Sequence, residues 1–198
     1  MPKSLTAVTV LMDHPGAARA HWMRLGFALP AGGAIQLDSA ALCILDRAQN
    51  PPKDAQDHDG APLSFTLADA PAHRQPPAAH PNGARALAAL VTIEENPAEL
   101  GAALGHAVAQ REMRATSTGI ELKLENTRWE VLTPTAFARI YGEAGPARQP
   151  LEALVFTVRD MLATRNHFAA QHIAFEDRMG RLILADRPAG LVLAFEAP

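Results

Sequence analysis

The amino-acid sequence predicts an α+β protein built from three βαβββ modules. The main observation is an internal repeat: an apolar, β-type opening that leads into a helical segment occurs at Leu5-Thr6-Ala7-Val8, Leu87-Ala88-Ala89-Leu90 and Leu151-Glu152-Ala153-Leu154. Internal repetition defines an architecture more firmly than any single element does. The second observation is that short apolar runs separated by turn residues follow each helical segment, as expected of consecutive strands.

The composition is that of an ordinary globular protein, with 48% hydrophobic and 20% charged residues. The formal net charge of -3, with basic and acidic residues interspersed, provides no broad positive surface for nucleic acid. No apolar run approaches the ~18 to 20 residues that a membrane span needs. These properties predict a cytoplasmic protein whose partners include neither nucleic acid nor membrane. Cys43 is the single cysteine and lies in an apolar run, which predicts a buried thiol.

The first module is expected within residues 1–70. A run of aliphatic and β-branched residues predicts a strand from Leu5 to Met12. Asp13 then offers a helix N-cap, Pro15 fits the first helical position, and Gly26 supplies a left-handed stop. The other strands of this module are expected at 34–37, 41–45 and 63–68.

A linker is predicted at residues 71–85, because prolines hold this Ala-rich segment extended and remove backbone donors. The rest of the chain, 86–198, then forms one domain of two modules, 86–145 and 150–198. Asn96 and Asp160 are the expected helix caps of these modules. Their strands are expected at 87–93, 111–115, 119–124, 129–132, 151–158, 175–177, 181–185 and 191–196. A short helical turn is expected at 135–141, after the last strand of the second module.

The chain resembles the vicinal oxygen chelate superfamily in this order of elements and in two motifs, Trp22-Met23-Arg24-Leu25-Gly26-Phe27 and Gly190-Leu191-Val192-Leu193-Ala194-Phe195. A third motif is similar to the junction ahead of a module in the large bacterial set of glyoxalase-like domain proteins, His80-Pro81-Asn82-Gly83-Ala84-Arg85. The resemblance implies that the second and third modules pair so that their curved sheets enclose a cup. The enzymes of the superfamily include glyoxalase I, extradiol dioxygenases and fosfomycin resistance enzymes. Bleomycin resistance proteins, in contrast, use the cup only to bind a ligand.

The resemblance also implies a place for a divalent metal ion in the cup, with a His, Gln or Glu on each first strand and a Glu on each last strand. The first-strand position is occupied by alanine in all three copies, Ala7, Ala89 and Ala153. The last-strand positions align with Ser64, Glu130 and Ala194. One carboxylate without imidazole partners does not hold zinc, iron or nickel. No metal ion and no other cofactor are therefore expected.

Three residues are candidates for ligand binding: Glu130, Trp129 and His80. Glu130 is predicted to line the cup as a general base or hydrogen-bond acceptor, with outward orientation or pairing with an arginine as the alternative. Trp129 is its neighbour, and a place in the core is the alternative for it. His80 lies in the junction motif, where a turn role is the alternative. Catalytic residues cannot be assigned, because no Ser-His-Asp or Cys-His arrangement is recognisable.

These observations favour a metal-independent glyoxalase-like protein that binds a small organic molecule in its cup. Two alternatives remain open: a metal-dependent lyase or dioxygenase-type enzyme of the same superfamily, and a degenerate scaffold that acts as an interaction module. The first module has no partner module in the chain. Its apolar sheet face is therefore expected either to pack on the cup or to pair with the same module of a second chain in a homodimer.

Overall fold

The computed structural model of the protein describes residues 3–12, 15–30, 34–46, 63–68, 79–107, 113–143 and 151–198. The strands in these ranges are β1 (Ser4–Met12), β2 (Ala34–Gln36), β3 (Ala41–Asp46), β4 (Leu63–Ala68), β5 (Ala84–Ile93), β6 (Met113–Thr116), β7 (Gly119–Lys123), β8 (Arg128–Leu132), β9 (Ala153–Val158), β10 (Phe175–Arg178), β11 (Arg181–Leu184) and β12 (Val192–Glu196). The helices are α1 (Pro15–Arg24), α2 (Pro97–Ala107), α3 (Pro134–Tyr141) and α4 (Met161–Ala170), and Pro188–Gly190 forms a 3-10 turn.

The predicted order of strands and helices is confirmed, and local chemistry explains where the helices begin and end. The Asp160 side chain caps α4, because it accepts hydrogen bonds from the backbone N–H groups of Leu162 and Ala163. Gly26 ends α1 with a positive φ of 86°, a conformation that glycine adopts without strain. Asp13, the cap expected for α1, lies outside the described residues.

The second and third modules form one sheet of eight strands in the order β10-β11-β12-β9-β5-β8-β7-β6. Within each module the first and last strands are parallel neighbours, β5 beside β8 and β9 beside β12. The two modules join through β5 and β9, which are antiparallel. The predicted pairing of the last two modules is therefore confirmed.

Alternate residues of this sheet point to two faces, which differ in what covers them. The outer face carries large apolar side chains that form one cluster with the first module, among them Leu90, Trp129, Phe156 and Phe195. The inner face carries small ones in its centre, Ala89, Val91, Ala153, Val155 and Ala194.

The sheet is curved, and its inner face is the concave one. Arg128 on β8 and Glu196 on β12 are separated by β5 and β9, so a flat sheet would hold their backbones roughly 14 Å apart. Their side chains nevertheless meet, with Arg128 Nη2 2.9 Å from Glu196 Oε1. Arg181 on β11 is one strand further away and still lies 3.0 Å from Glu130 of β8. The two modules therefore enclose a cup.

Helix α3 fills the centre of this cup. Its buried side chains, Phe137, Ile140 and Tyr141, form one apolar cluster with the small residues of the inner face. The hydroxyl of Thr133 caps the helix by accepting from the Ala136 N–H at 3.2 Å, and Pro134 takes the first position, where its missing N–H costs nothing. The sequence predicts only a short helical turn at 135–141. The structure adds that this segment is an eight-residue helix that fills the centre of the cup.

The first module forms a separate sheet of four strands in the order β2-β3-β1-β4. The parallel neighbour of β1 is β3, whereas β4 lies on the other side of β1 and runs antiparallel to it. β4 thus occupies the place beside β1 that β9 occupies beside β5. The two pairs also share a register shift at the same point of the repeat, between Leu5 and Ala7 and between Leu87 and Ala89.

This topology corrects one part of the sequence alignment. Glu130 of β8 lies opposite Val91 of β5, and Ala194 of β12 lies opposite Val155 of β9. The residue in the same register position of the first module is Cys43 of β3, which lies opposite Thr9. The alignment of Ser64 with Glu130 is therefore wrong, because β4 is not the parallel neighbour of β1.

The first module packs against the outer face of the larger sheet. The Phe27 and Phe156 rings are 5.1 Å apart between centroids. The Asn126 side chain accepts from the Leu5 N–H at 2.9 Å and donates to the Leu5 carbonyl at 2.7 Å, which ties the β7–β8 turn to β1. The linker at 71–85 is described only from residue 79, and residues 69–78 lie outside the described ranges. The domain limits and the homodimer remain predictions.

Candidate ligand-binding site

Four charged side chains of alternating sign form a closed ring across the mouth of the cup. Arg128 donates to Glu130 Oε1 at 2.9 Å and to both carboxylate oxygens of Glu196, at 2.9 and 3.0 Å. Arg181 donates to Glu196 Oε2 at 2.9 Å and to Glu130 Oε1 at 3.0 Å. We call these four residues the ion-pair ring. Each carboxylate lies between two guanidinium groups, so the ring is electrically neutral.

Tyr141 joins the ring to the apolar floor of the cup. Its hydroxyl donates to Glu130 Oε2 at 3.1 Å and accepts a hydrogen bond from Arg181 Nη1. The Arg181 guanidinium also lies over the phenol ring, 5.4 Å from its centroid. Because Tyr141 is only 1% exposed, α3 holds this hydroxyl in place beneath the ring.

The protonation states of the ring are fixed by burial and by opposite charge. Burial alone would raise the pKa of Glu130, but the guanidinium groups of Arg181 and Arg128 outweigh it and hold that pKa below its ordinary value. Burial and the nearby Glu130 carboxylate raise the pKa of Tyr141. At neutral pH Glu130 is therefore ionised and Tyr141 is protonated. A protonated phenol does not accept a proton, and the lowered pKa makes the Glu130 carboxylate a weaker base.

The residues in the cup do not fit the metal ion that the superfamily resemblance implies. Ala89, Ala153 and Ala194 are fully buried against α3 and offer no ligand atom. Glu130 is the one aligned carboxylate, and both of its oxygens are engaged by the ring and Tyr141. Among the described residues, no three His, Cys, Asp or Glu side chains converge on one point.

A pocket of about 440 Å³ lies above the ion-pair ring, and we call it the mouth pocket. Small-molecule sites usually measure roughly 300–1,000 Å³. Two hairpin turns border it, Ser117–Thr118 between β6 and β7 and Met179–Gly180 between β10 and β11. Its polar side chains are Thr116, Thr118, Glu121, Glu130, Arg181 and Glu196, and its apolar ones include Leu132, Ile140 and Met179.

A second pocket of about 880 Å³ lies at the other end of the β7–β8 hairpin. Much of its wall consists of exposed side chains, Met113, Arg114, Lys123 and Glu125. It shares Glu121 with the mouth pocket. The mouth pocket is the better candidate site, because its floor combines fixed buried charges with apolar side chains, as ligand sites commonly do.

The three candidate residues from the sequence lie in three different places. Glu130 lines the mouth pocket as part of the ion-pair ring. Trp129 points to the outer face, where it belongs to the main core and its Nε1 donates to Thr92 Oγ1 at 3.2 Å. His80 lies at the junction of the two sheets. The structure therefore does not bring these residues together.

His80 connects the first module to the start of β5. Its Nδ1 accepts from the Ala28 N–H at 3.0 Å, and its Nε2 lies 2.9 Å from the Gln36 carbonyl oxygen. The Ala28 N–H can donate to Nδ1 only if that nitrogen carries a lone pair and no proton. The imidazole proton is therefore on Nε2, and the ring is neutral. Burial is the main cause that lowers the pKa of His80, and the Gln36 carbonyl opposes it in part.

Sequence reasoning missed Arg128, Arg181, Glu196 and Tyr141. The alternation of β8 could have identified Arg128, because residues two apart on a strand share a face and Arg128 therefore lies beside Glu130. The other members come from β11, β12 and α3, and only the curvature of the sheet brings them to β8. Thr133-Pro134 followed by Phe137, Ile140 and Tyr141 was a recognisable capped amphipathic helix.

No protein-family model and no curated protein matches this sequence. Solved structures with similar folds include 2,2',3-trihydroxybiphenyl 1,2-dioxygenase from dibenzofuran-degrading Sphingomonas wittichii, with a TM-score of 0.52 and 11% identity over 100% of this chain and 91% of that chain. A halotolerant catechol dioxygenase gives a TM-score of 0.51 and 9% identity, covering 100% and 87% of the two chains. A catechol 2,3-dioxygenase gives 0.50 and 10%, covering 100% and 90%.

At these identities the likeness concerns the fold alone. The chain has the vicinal oxygen chelate fold, also called the glyoxalase-like fold, as its sequence predicts. In the described ranges, no helix has both the length and the apolar character needed to cross a membrane.

Proposed function

We propose that this protein, which has the glyoxalase-like fold, binds a small organic molecule in the mouth pocket without the help of a metal ion. The observation that supports this most is the fixed floor of the pocket. Glu130, Arg181 and Glu196 are held by each other and by Arg128, so their positions need no rearrangement when a ligand arrives. A preorganised polar floor lowers the cost of binding.

The metal-dependent lyase or dioxygenase alternative has weaker support. Buried alanines occupy three of the four aligned positions in the cup, Ala89, Ala153 and Ala194, and α3 packs directly on them. The scaffold alternative is based on the same helix, because α3 packs on the centre of the inner face and fills that part of the cup. Thermal-shift screening with and without a chelator separates these hypotheses. The cytoplasmic location stays a prediction.

Thermal-shift screening of the full chain against a fragment set of neutral, cationic and anionic aromatic and aliphatic compounds tests the proposal. A ligand present at one hundred times its Kd stabilises the native state by about 2.7 kcal/mol, which raises Tm measurably. We expect some fragments to raise Tm equally with and without a chelator. Loss of the shift on chelation would instead favour the metal-dependent alternative.

Two tryptophan variants in one turn locate the binding site. Thr118 lines the mouth pocket, and Thr118→Trp should fill it and remove the thermal shifts. Ser117 is its exposed neighbour in the same turn and does not line the pocket, so Ser117→Trp should keep them. Shifts that survive Thr118→Trp would contradict the proposed site. A complete absence of shifts would contradict small-molecule binding and favour the scaffold.

A further inference from the structure

We infer that the ligand of the mouth pocket is a small organic cation with an apolar body, whose charge lies beside Glu121 and whose apolar part packs against Met179. This inference rests on the proposed function and adds the chemical class of the ligand. It follows from the charge balance of the pocket and from the conformation of one of its turns.

The first argument is that the ion-pair ring leaves one lining carboxylate without a partner. Glu130 and Glu196 are neutralised by Arg128 and Arg181. Glu121 lines the same pocket, and among the residues that the structure describes it makes no hydrogen bond or ion pair with another side chain. The ring and Glu121 together carry three negative and two positive charges. The site therefore has one uncompensated negative charge.

Glu121 lies beside a carboxylate rather than a cation. Glu121 of β7 is directly opposite Glu130 of β8 on the inner face, and Glu130 is already paired with Arg128 and Arg181. Arg114 is its other cross-strand neighbour, but it is exposed, borders the second pocket and forms no ion pair with Glu121 within the described part of the chain. A cation in the mouth pocket would give the Glu121 carboxylate the partner that it lacks among the described residues.

The second argument concerns Met179, which is held exposed at the edge of the pocket. Its side chain is 71% exposed, and its φ of 50° is a left-handed conformation that favours Gly, Asn or Asp. Neither burial nor turn geometry accounts for methionine at this position. An unusual backbone conformation at a pocket is a reason to look for a functional contact. Met179, with Leu132 and Ile140, provides an adaptable apolar surface for the body of a ligand.

Three probes with the same ring and different charge test the inference: benzyltrimethylammonium, benzyl alcohol and phenylacetate. The first is a cation at every pH, so its binding does not depend on its own titration. Calorimetric titration of the full chain should give the tightest binding for the ammonium probe and the weakest for phenylacetate. Added salt should weaken the ammonium binding, because screening reduces the attraction of a partly exposed carboxylate.

Glu121→Gln and Met179→Asn test the two named contacts. Glu121→Gln should weaken ammonium binding by about threefold to tenfold and leave the alcohol unchanged. Glu99→Gln, which removes the same charge from α2 outside the pocket, is its control and should leave both probes unchanged. Met179→Asn should weaken both of these probes, although Tm stays the same or rises because asparagine suits the turn. A merely structural role of Met179 would lower Tm and leave affinity alone.

The outcomes separate this inference from the proposed function. If benzyl alcohol or phenylacetate binds as tightly as the ammonium probe, and Thr118→Trp removes that binding, the pocket is a binding site but the inference of a cationic ligand is wrong. Unchanged ammonium affinity in Glu121→Gln would also overturn the inference. If no probe and no screened fragment binds, the proposed function fails together with it.

Discussion

Arg128 reaches Glu196 across two intervening strands, with its Nη2 2.9 and 3.0 Å from the two carboxylate oxygens. This contact, made by one guanidinium nitrogen, joins β8 of the second module to β12 of the third. A second contact joins the modules in the opposite direction, because Arg181 on β11 of the third module donates to Glu130 of the second. The two modules are therefore cross-linked by charge at the mouth of the cup, in addition to the β5–β9 ladder at its base.

Replacement of Arg181 by methionine should destabilise the protein by about 2–4 kcal/mol, because it leaves Glu130 and Glu196 poorly solvated with one cation between them. The two side chains of the Arg181–Glu130 pair are only 15% and 11% exposed. Urea unfolding measures the change. In the double variant with Glu130→Gln, the loss should be smaller than the sum of the single losses.

Arg178→Met is the control for this prediction. Arg178 pairs with Glu176 in the same hairpin, but these side chains are 37% and 62% exposed. Exposed pairs contribute about 0–1 kcal/mol. Equal losses for the two arginines would mean that the ring does not behave as a buried unit.

Tyr141 is the only tyrosine of the chain, so it reports on the cup directly. Burial and the Glu130 carboxylate raise its pKa above the ordinary value of 10.0. The folded state therefore keeps a proton that the unfolded state releases, and stability should fall as the pH rises above about 10. Difference absorbance of the phenolate should appear only together with unfolding. A separate phenolate transition in the folded protein would contradict this.

Stability should also decrease in mild acid because of His80. Burial lowers its pKa below the ordinary 6.5, so the unfolded chain binds more protons as the pH falls below that value. Urea unfolding between about pH 5 and pH 8 should show that the free energy of unfolding decreases below about pH 6.5. Asp38 and Arg159 both influence His80, with opposite effects on its pKa. Part of the decline should disappear in His80→Gln.

His167 contributes to the same window, since burial lowers its pKa too. The decline in His80→Gln should therefore be reduced rather than absent. An unchanged decline would show that His80 is not the group that responds, and a stability that rises toward acid pH would contradict the neutral state assigned to its ring.

Gly26→Ala should be strongly destabilising, by about 2 kcal/mol or more. The added Cβ would lie 2.4 Å from His167 Nε2 and 2.9 Å from the backbone nitrogen of Asn82, at a φ of 86° that alanine adopts with strain. Gly16→Ala is the matched control, because nothing lies within 4 Å of the added atom in α1. There alanine should stabilise the helix by up to about 1 kcal/mol.

Circular dichroism during thermal unfolding compares the two glycine variants under the same conditions. Tm should be highest for Gly16→Ala, intermediate for the wild-type chain and lowest for Gly26→Ala. Equal Tm values for the two variants would mean that the tight turn after α1 can move away from α4 without loss of stability.

Local patterns in the sequence were sufficient to predict the elements and the pairing of the last two modules. Alternation, caps such as Asp160 and the repeated openings depend on neighbours in the chain, and the structure confirms them. The side of β1 on which β4 would pair was not predictable, because both edges of a strand offer the same backbone groups. The sequence alignment of Ser64 failed for this reason.

The site was less predictable than the fold. Glu130 was found because it lies at a recognisable place in the repeat, and Trp129 was grouped with it only because the two are adjacent. Neighbours on a strand point to opposite faces, so adjacency argued against a shared site. The partners of Glu130 come from three other elements. Their convergence depends on curvature that no local pattern encodes.

The position of β4 has a consequence for the order in which the chain folds. β1 is an inner strand of its sheet, and its second ladder pairs residues 4–10 with residues 63–68. Contacts between residues so far apart in the sequence form slowly, since a long loop must close first. During synthesis, β1 therefore stays unpaired on that side until β4 has left the ribosome. We expect nascent chains that stop before residue 63 to aggregate more readily than chains that include β4.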